Sequence, residues 1–294
     1  MLVEIYSPDV TARAARYSPS MSDYTQIRYE QDGRVARLVL DRPQYRNAQS
    51  RTLVEELDGA FARAAEDDSV GVIVLVGAGD HFSAGHDLGT PEELADREVR
   101  PYEGGIRGLY RRSSHINIEP TLRWRNVPKP TIAAVQGYCI FAGWMIASAC
   151  DVIFAAENAL FLPSNFQYFS VPWDIHPRKA KAILFESRFV DASEAEELGL
   201  VDRVLPVDRL EAETMAYAHR VAENDPFQLR MIKLAVNQAQ DEMGFTSHIH
   251  AAHGYYMLSA QGESDPGYAL AKPEGRRRPM VQRALENYER RAGR

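Results

Sequence analysis

The sequence predicts an α/β protein with a parallel β-sheet, followed by a helical C-terminal region. In the first half of the chain, short aliphatic and β-branched runs alternate with amphipathic helical patterns. After about residue 177 strand patterns become rare and helical patterns follow one another. The strand patterns are almost continuously apolar, which is typical of a parallel sheet covered on both faces.

The core elements can be placed in order. The strongest strand signals are Val35–Leu40, Val72–Val76, Thr131–Val135 and Val152–Ala155. The first helix is predicted over Arg51–Glu66, with Thr52 and Glu55 as a capping box. One stripe of this helix is apolar and should face the core; it consists of Leu53, Val54, Leu57, Ala60, Phe61 and Ala64.

The C-terminal part is predicted to be helical. A short helix over Ser193–Gly199 should begin at a Ser193–Glu196 capping box and end at Gly199. The longer helical patterns are Asp208–Glu223, Pro226–Asp241 and Phe245–Ala260. The sequence divides into an N-terminal arm (1–20), an α/β core (21–207), a helical region (208–262) and a charged tail (263–294). The helical region is expected to dock on partner subunits because it carries surplus apolar residues, which are Leu229, Ile232, Leu234 and Val236.

Composition limits the functional classes. The 294 residues are 45% hydrophobic and 26% charged, which suits one globular domain of about 250 residues with irregular ends as well as it suits two smaller domains. The net charge of −7 argues against a nucleic-acid partner, and no apolar run approaches the roughly 18 residues that a membrane span requires. Cys139 and Cys150 form no C-x-x-C pair. We therefore expect buried free thiols and a cytoplasmic location.

Two suggestive patterns do not hold. The strand ending at Gly77-x-Gly79 lacks the third glycine of a dinucleotide-binding fingerprint, since Phe82 stands in its place. His248, His250 and His253 share one predicted helix, but a metal site would need a further ligand, usually a carboxylate. We expect these histidines on a helix surface or interface, and we expect no metal.

Three stretches together resemble the crotonase (enoyl-CoA hydratase/isomerase) superfamily, and in particular its actinobacterial hydratase-like members. They are "RPQYRNAQS" (42–50), "HFSAGHDLG" (81–89) and "VQGYCIFAGWMIASACDVIFA" (135–155), and "AEELGLVDRVLP" (195–206) also fits. The resemblance covers roughly residues 23–260. It implies a crotonase (ClpP/crotonase-like) fold of repeated β-β-α units with a C-terminal helical trimerisation region.

The resemblance also implies the chemistry. Crotonase-type reactions pass through a thioester enolate, whose oxygen is stabilised by two backbone N–H groups, one of them at a helix N-terminus. By position in the motifs these donors are the N–H groups of His86 and Ala142. The small residues around them let the backbone approach a ligand closely. The His86 imidazole is a further candidate, as in superfamily decarboxylases with the same "FSAGHD".

Coenzyme A recognition follows by the same resemblance. Arg46, Ala48, Ala84 and His86 are expected to contact coenzyme A, with Arg46 as the partner of a phosphate. Coenzyme A is part of the substrate, and no separate cofactor is implied. We expect Asp87 to pack locally and not to react.

The sequence departs from the family at the two glutamates that typical hydratases use to handle water. Those positions read Met145 and Asn165, neither of which transfers a proton at neutral pH. The glycine-rich run that normally follows is replaced by "YFSVPWDIHPRK" (168–179). That stretch supplies Asp174 and His176, either of which could be a displaced acid or base, although residues of this kind are more often surface or salt-bridged residues. Asp174 is our candidate catalytic side chain.

The sequence therefore predicts an acyl-CoA thioester enzyme of the enoyl-CoA hydratase/isomerase family, assembled as a homotrimer or a dimer of trimers. Two alternatives stay open. One keeps the fold but changes the reaction to decarboxylation, isomerisation or thioester hydrolysis, using His86 or Asp174. The other is a non-catalytic acyl-CoA-binding protein, which the loss of both glutamates would permit.

Overall fold

The computed structural model describes residues 24–261, 279–291 and 293. The arm predicted over 1–20 lies outside these residues, as does the first part of the charged tail. No helix in the described part of the chain is long and apolar enough to cross a membrane. The division into arm, core, helical region and tail stays a prediction.

The strands form two sheets. In chain order the strands of the described residues are β1 (Ile27–Asp32), β2 (Val35–Leu40), β3 (Val72–Gly77), β4 (Thr131–Val135), β5 (Tyr138–Ile140), β6 (Val152–Ala156), β7 (Leu160–Leu162), β8 (Val190–Asp191) and β9 (Arg203–Leu205). The larger sheet has the order β1-β2-β3-β4-β6-β9, and all of its pairs are parallel except β1 with β2. The smaller sheet has the order β5-β7-β8. The four predicted strands are confirmed.

Helices surround the sheets. In chain order those of the described residues are α1 (Arg51–Glu66), α2 (Pro91–Val99), α3 (Gly105–Ser113), α4 (Glu119–Arg125), α5 (Ala142–Ser148), α6 (Val171–Asp174), α7 (Pro177–Glu186), α8 (Ala192–Glu197), α9 (Leu210–Ala222), α10 (Pro226–Glu242), α11 (Phe245–Gln261) and α12 (Pro279–Arg291). A 3-10 turn at Pro43–Tyr45 precedes α1, and a π-helical segment at Ser114–Ile118 joins α3 to α4.

The larger sheet separates two apolar layers, as the continuous apolar strands predict. Along β2, Leu38 packs with α1 on one face, while Val39 packs with α9 on the other. In β3, Leu75 and Val74 alternate in the same way, and the whole strand is buried. Side chains of a strand point to opposite faces in turn, so a strand covered on both sides must be apolar at every position.

Both predicted capping boxes are wrong, although the helices themselves are confirmed. Helix α1 is capped by Ser50, whose Oγ accepts from the Leu53 N–H at 3.0 Å, and not by Thr52. Helix α8 begins one residue before Ser193 and is capped by Asp191. In each case a side-chain oxygen placed just before the helix satisfies an N–H of its first turn, which is the function of an N-cap.

Candidate active site

The turn that follows β2 is held by the side chain of Asn47. Asn47 is fully buried; its Oδ1 accepts from the Arg42 N–H at 2.9 Å, and its Nδ2 donates to the carbonyl groups of Ala78 and His81 at 2.9 and 2.7 Å. Arg46 and Asn47 have positive φ angles of 52° and 53°. Asn tolerates this left-handed conformation better than most residues do. The Asn47 amide therefore ties this turn to the segment that follows β3.

The residues predicted to contact coenzyme A meet at this junction. The Ala84 N–H donates to the Arg46 carbonyl at 2.8 Å, and Ala48 lies two residues further along the same turn. The Arg46 side chain is exposed, and within the described residues its guanidinium forms no hydrogen bond or ion pair. A free guanidinium next to closely packed backbone suits a phosphate contact.

The turn after β3 and the turn before α5 are packed backbone against backbone. Gly85 has a φ of +87°, and a Cβ there would lie 2.6 Å from the Ile140 carbonyl oxygen and 3.5 Å from the Ala142 nitrogen. A Cβ on Gly143 meets the Ser83 carbonyl oxygen at 2.8 Å. These positions must be small because the two turns touch one another, a reason additional to the approach of a ligand.

This packing brings together two backbone donors, the N–H groups of His86 and Ala142. His86 pairs with Gln49 in a parallel bridge, in which the Gln49 N–H donates to Gly85 and the Asp87 N–H donates to Gln49, at 2.8 and 2.9 Å. The His86 N–H therefore points away from Gln49. Neither the His86 N–H nor the Ala142 N–H, at the first position of α5, has an acceptor among the described residues.

The direction of the Ala142 N–H is set by a strained residue that the sequence did not reveal. Phe141 precedes α5 with φ 47° and ψ −101°. A non-glycine residue held in such a sparsely populated region costs on the order of 1–3 kcal/mol. Phe141 is anchored by its N–H, which donates to Leu162 at 2.8 Å, and by an apolar cluster that includes Ile140 and Phe189. The strain is therefore located at the turn that presents a candidate catalytic donor.

The His86 imidazole has a defined hydrogen bond. Its Nε2 lies 2.8 Å from Gln167 Oε1. With the amide oxygen as acceptor, Nε2 carries the proton and Nδ1 is left as an acceptor. Burial lowers the pKa of His86, the bond to Gln167 opposes this, and the positive charge of Arg112 adds to the lowering. The ring is therefore neutral at pH 7 and able to accept a proton.

Asp87 is held in a local network, as predicted. Its carboxylate forms an ion pair with Arg42 Nη1 at 2.8 Å, with both side chains almost fully buried. Thr90 and Gly89 also donate to it. Burial alone would raise the pKa of Asp87, but the hydrogen bonds from Thr90, Gly89 and Arg42 outweigh it and hold the pKa below its usual range. These contacts fix the turn that carries His86.

Asp174 occupies a different place from the two donors. Its carboxylate accepts from Trp144 Nε1 at 2.8 Å and from Ser170 Oγ at 2.7 Å, and burial raises its pKa to about 6. The cavity that Asp174 lines lies between α5 and α10, and neither His86 nor Ala142 is among its lining residues. Asp174 is thus neither a surface residue nor part of a salt bridge in the described residues. Its catalytic role stays a prediction.

The structure also shows where Met145, Asn165 and His176 lie. Met145 is buried in the main apolar cluster, whereas Asn165 is exposed. His176 is exposed and caps α7, with its Nδ1 accepting from the Arg178 N–H at 3.3 Å. The described residues contain no group of three or more side chains suited to a metal ion.

The histidines of α11 make aromatic contacts. Trp173 Nε1 donates to His248 Nδ1 at 3.0 Å, and the His253 ring packs at 5.0 Å from that of Tyr110. Burial lowers the pKa of both histidines. These two rings therefore serve in packing between α11 and its neighbours, and His253 is buried, not at the surface, whereas His250 is exposed.

Most of the chain is similar to proteins of one known family. The family model described as enoyl-CoA hydratase/isomerase matches residues 30–264. A Mycobacterium tuberculosis protein assigned by name to the enoyl-CoA hydratases, EchA13, is 38% identical over 258 residues, which is 81% of each chain. The chain belongs to the enoyl-CoA hydratase/isomerase family.

Solved structures of enoyl-CoA hydratases support the same family and the same fold. A probable enoyl-CoA hydratase from Mycobacterium thermoresistibile is 43% identical with a TM-score of 0.73, covering 80% of this chain and 96% of that one. An enoyl-CoA hydratase/isomerase from Xanthobacter autotrophicus Py2 is 32% identical with a TM-score of 0.71, covering 83% and 90%. The predicted crotonase fold is confirmed.

The raised pKa of Asp174 leads to a stability prediction for Asp174→Asn. A carboxyl whose pKa rises from 3.8 to about 6 on folding destabilises the folded protein progressively as pH rises from about 4 to 6, and the loss is complete above that. The isosteric amide keeps an acceptor for Trp144 and Ser170 but does not ionise. We expect the variant to exceed the wild type at pH 8 by roughly 2–3 kcal/mol in free energy of unfolding, and to match it near pH 4.

Denaturant unfolding at several pH values measures this difference. Asp202→Asn, which removes a surface carboxylate at an exposed ion pair, is the matched control and should show no such pH dependence. A constant difference between wild type and Asp174→Asn across this range would contradict the prediction.

Proposed function

We propose that this enoyl-CoA hydratase/isomerase family enzyme stabilises the enolate of an acyl-CoA thioester between the N–H groups of His86 and Ala142. The observation that carries the proposal is the pair of donors without acceptors, held together by the close packing of two turns. Negative charge that develops on the thioester oxygen would receive both hydrogen bonds, and the N-terminus of α5 adds a favourable dipole. Preorganised donors of this kind lower the barrier because they need no rearrangement during the reaction.

Coenzyme A would lie along the other side of the same turns. Arg46, Ala48 and Ala84 are brought together there, and the unpaired Arg46 guanidinium suits a phosphate. No cofactor is required by this chemistry, since the thioester itself supplies the electron sink. The buried free thiols of Cys139 and Cys150 support a cytoplasmic location, and acyl-CoA chemistry supports a role in fatty acid metabolism.

The proton-transfer group is proposed to be the His86 imidazole. The same residue supplies one of the two backbone donors, the ring is neutral at pH 7, and its Nδ1 has no partner among the described residues. Asp174 is the alternative, and its pKa of about 6 suits a general acid or base. Hydration remains the reaction the family name suggests, whereas a histidine acting alone would also suit decarboxylation, isomerisation or thioester hydrolysis.

A panel of acyl-CoA thioesters tests the proposal. Each is incubated with the protein, and the products are identified by mass spectrometry, because the mass change distinguishes hydration, decarboxylation and hydrolysis. Isomerisation leaves the mass unchanged and is detected by chromatographic separation. Turnover that is lost in Ala142→Pro supports the enolate proposal. Binding of every member without turnover would favour a non-catalytic acyl-CoA-binding protein.

We also propose that the protein assembles as a homotrimer or a dimer of trimers through α10. On this helix only Lys233 is buried, and it is held by polar contacts, an ion pair to Asp151 at 2.8 Å and a hydrogen bond to the Lys129 carbonyl. Leu229 is half-buried, whereas the other large apolar side chains of α10 are exposed, including Phe227 (68%) and Val236 (58%). Contiguous exposed apolar surface of this kind marks an interaction site.

The assembly has a direct test. We expect light scattering at micromolar concentration to give the mass of a trimer or hexamer. Ile232→Glu should shift the population towards smaller species because it places a charge in the apolar face. Gln238→Glu, an exposed polar position on the same helix, is the control and should not shift it. A monomeric mass for the wild type would refute the proposal.

A further inference from the structure

Arg112 is a half-buried cation that pairs with no carboxylate in the part of the chain that the structure describes. It lies in the last turn of α3, with its guanidinium carbon 4.8 Å from the centroid of the Tyr102 ring. Arg51 and Arg97 also lie over this ring, at 4.0 and 5.8 Å, and each forms an ion pair with a carboxylate of α2. The Arg112 guanidinium forms no ion pair or hydrogen bond with any described residue. It is the one arginine of the three that lacks a partner within the part of the chain described.

The position of Arg112 relates it to the candidate active site. Arg112 lies over the same Tyr102 ring as Arg51, and Arg51 follows Gln49, the residue that pairs with His86, by two positions. The positive charge of Arg112 also contributes to lowering the pKa of the His86 imidazole. The charge of Arg46, the residue proposed for the coenzyme A phosphate, instead acts on His81. Arg46 and Arg112 therefore act on different histidines, and Arg112 is on the side of the reacting imidazole.

A positive charge taken partly out of water is costly unless something pairs with it. The neighbouring Arg111 shows the usual solution, since it is 72% exposed and paired with Glu103 at 2.6 Å. Arg112 has neither full exposure nor a carboxylate. The missing partner is therefore expected to come from a ligand, and the planar guanidinium fits a carboxylate with two parallel hydrogen bonds.

We propose that Arg112 binds a carboxylate carried by the acyl group of the substrate, so that this enzyme acts on CoA thioesters of dicarboxylic acids. This inference rests on the proposed function, because it takes the thioester carbonyl to lie at the His86 and Ala142 N–H groups. The carboxylate would then lie on the His86 side of the turn, away from Arg46. An acyl chain that ends in a methyl group would leave the guanidinium unpaired.

Two thioesters of equal carbon number test the proposal, glutaconyl-CoA with a terminal carboxylate and 2-pentenoyl-CoA with a terminal methyl group. Dissociation constants are measured by calorimetry for both thioesters and for free coenzyme A. We expect the wild type to bind glutaconyl-CoA about 10–100-fold more tightly than 2-pentenoyl-CoA. Arg112→Gln should abolish that preference while leaving 2-pentenoyl-CoA and free coenzyme A unchanged. Arg111→Gln is the control and should leave all three unchanged.

Each of the other possible binding results leads to a different conclusion. Equal binding of the two thioesters by the wild type would overturn the dicarboxylate proposal and leave the proposed function intact. Weaker binding of free coenzyme A by Arg112→Gln would also overturn it, since Arg112 would then contact the coenzyme. Failure of all three compounds to bind the wild type would reject the proposed function itself. Arg112→Lys, which keeps the charge without the planar fork, should retain part of the preference and so confirm the result in a second variant.

Discussion

We expect this protein to hydrate crotonyl-CoA about 10²–10⁴-fold more slowly for each absent carboxylate than an efficient hydratase does. The resemblance places Met145 and Asn165 where typical hydratases carry the two glutamates that handle water. Met145 is a buried thioether and Asn165 an exposed amide, and neither can give or take a proton at neutral pH. Hydration would then depend on a single displaced group, the His86 imidazole or Asp174, in place of the two carboxylates.

The loss of absorbance of the conjugated thioester measures this rate. A double variant, Met145→Glu with Asn165→Glu, restores the carboxylates and should raise the hydration rate if the backbone donors are in place. Its melting temperature is compared with that of the wild type, because a carboxyl at position 145 lies in the apolar core. A wild-type rate near that of efficient hydratases would contradict the prediction. Loss of that rate in Asp174→Asn would then identify Asp174 as the proton-transfer group.

The sequence predicts the core of the fold because burial on both faces leaves a pattern that depends on local residues alone. β3 is apolar at every position, and α1 has the predicted bounds Arg51–Glu66. The short strands β5 and β7 carry too few residues to show a period, so the smaller sheet was not predicted. The caps were misassigned because Ser50 and Thr52 are both suitable caps by residue type. Only the backbone conformation at Ser50, with φ −76° and ψ 167°, distinguishes them.

The candidate site, like the fold, has one part that the sequence predicts and another that it does not. The small residues of the two turns point to close backbone approach, and the structure brings His86 and Ala142 to one place. Gln167 could not be found by spacing, because it contacts His86 only through folding of distant segments. The same holds for Arg112, whose charge acts on the imidazole from a separate helix. Phe141 could not be found either, since a positive φ at a bulky residue contradicts its local preference. Such exceptions to local rules are expected at functional sites, where tertiary packing imposes the conformation.

We expect Ala142→Pro to lower the turnover of the true substrate about 10²–10³-fold, with coenzyme A affinity changed much less. Proline removes the N–H that is proposed to bind the enolate oxygen and adds no charge. The first position of a helix is where proline is tolerated best, because that N–H has no partner within the helix. Steady-state rates and dissociation constants for coenzyme A separate the two effects.

The Ala142→Pro variant needs controls for folding, because Phe141 directly precedes the substituted position. A residue before proline prefers extended backbone, whereas Phe141 has a positive φ, so the variant can disturb the turn as well as remove the donor. Ala142→Gly keeps the N–H and should retain most of the rate, and melting temperature and assembly mass report on folding. A folded Ala142→Pro enzyme with the wild-type rate would show that Ala142 is not a donor. His86→Ala keeps its backbone N–H and removes only the imidazole. A loss of about 10²–10⁴-fold in rate would support the imidazole as the acid or base and would favour a decarboxylase-like reaction over hydration. A milder loss would leave the backbone N–H as the contribution of His86 and would favour Asp174 as the proton-transfer group.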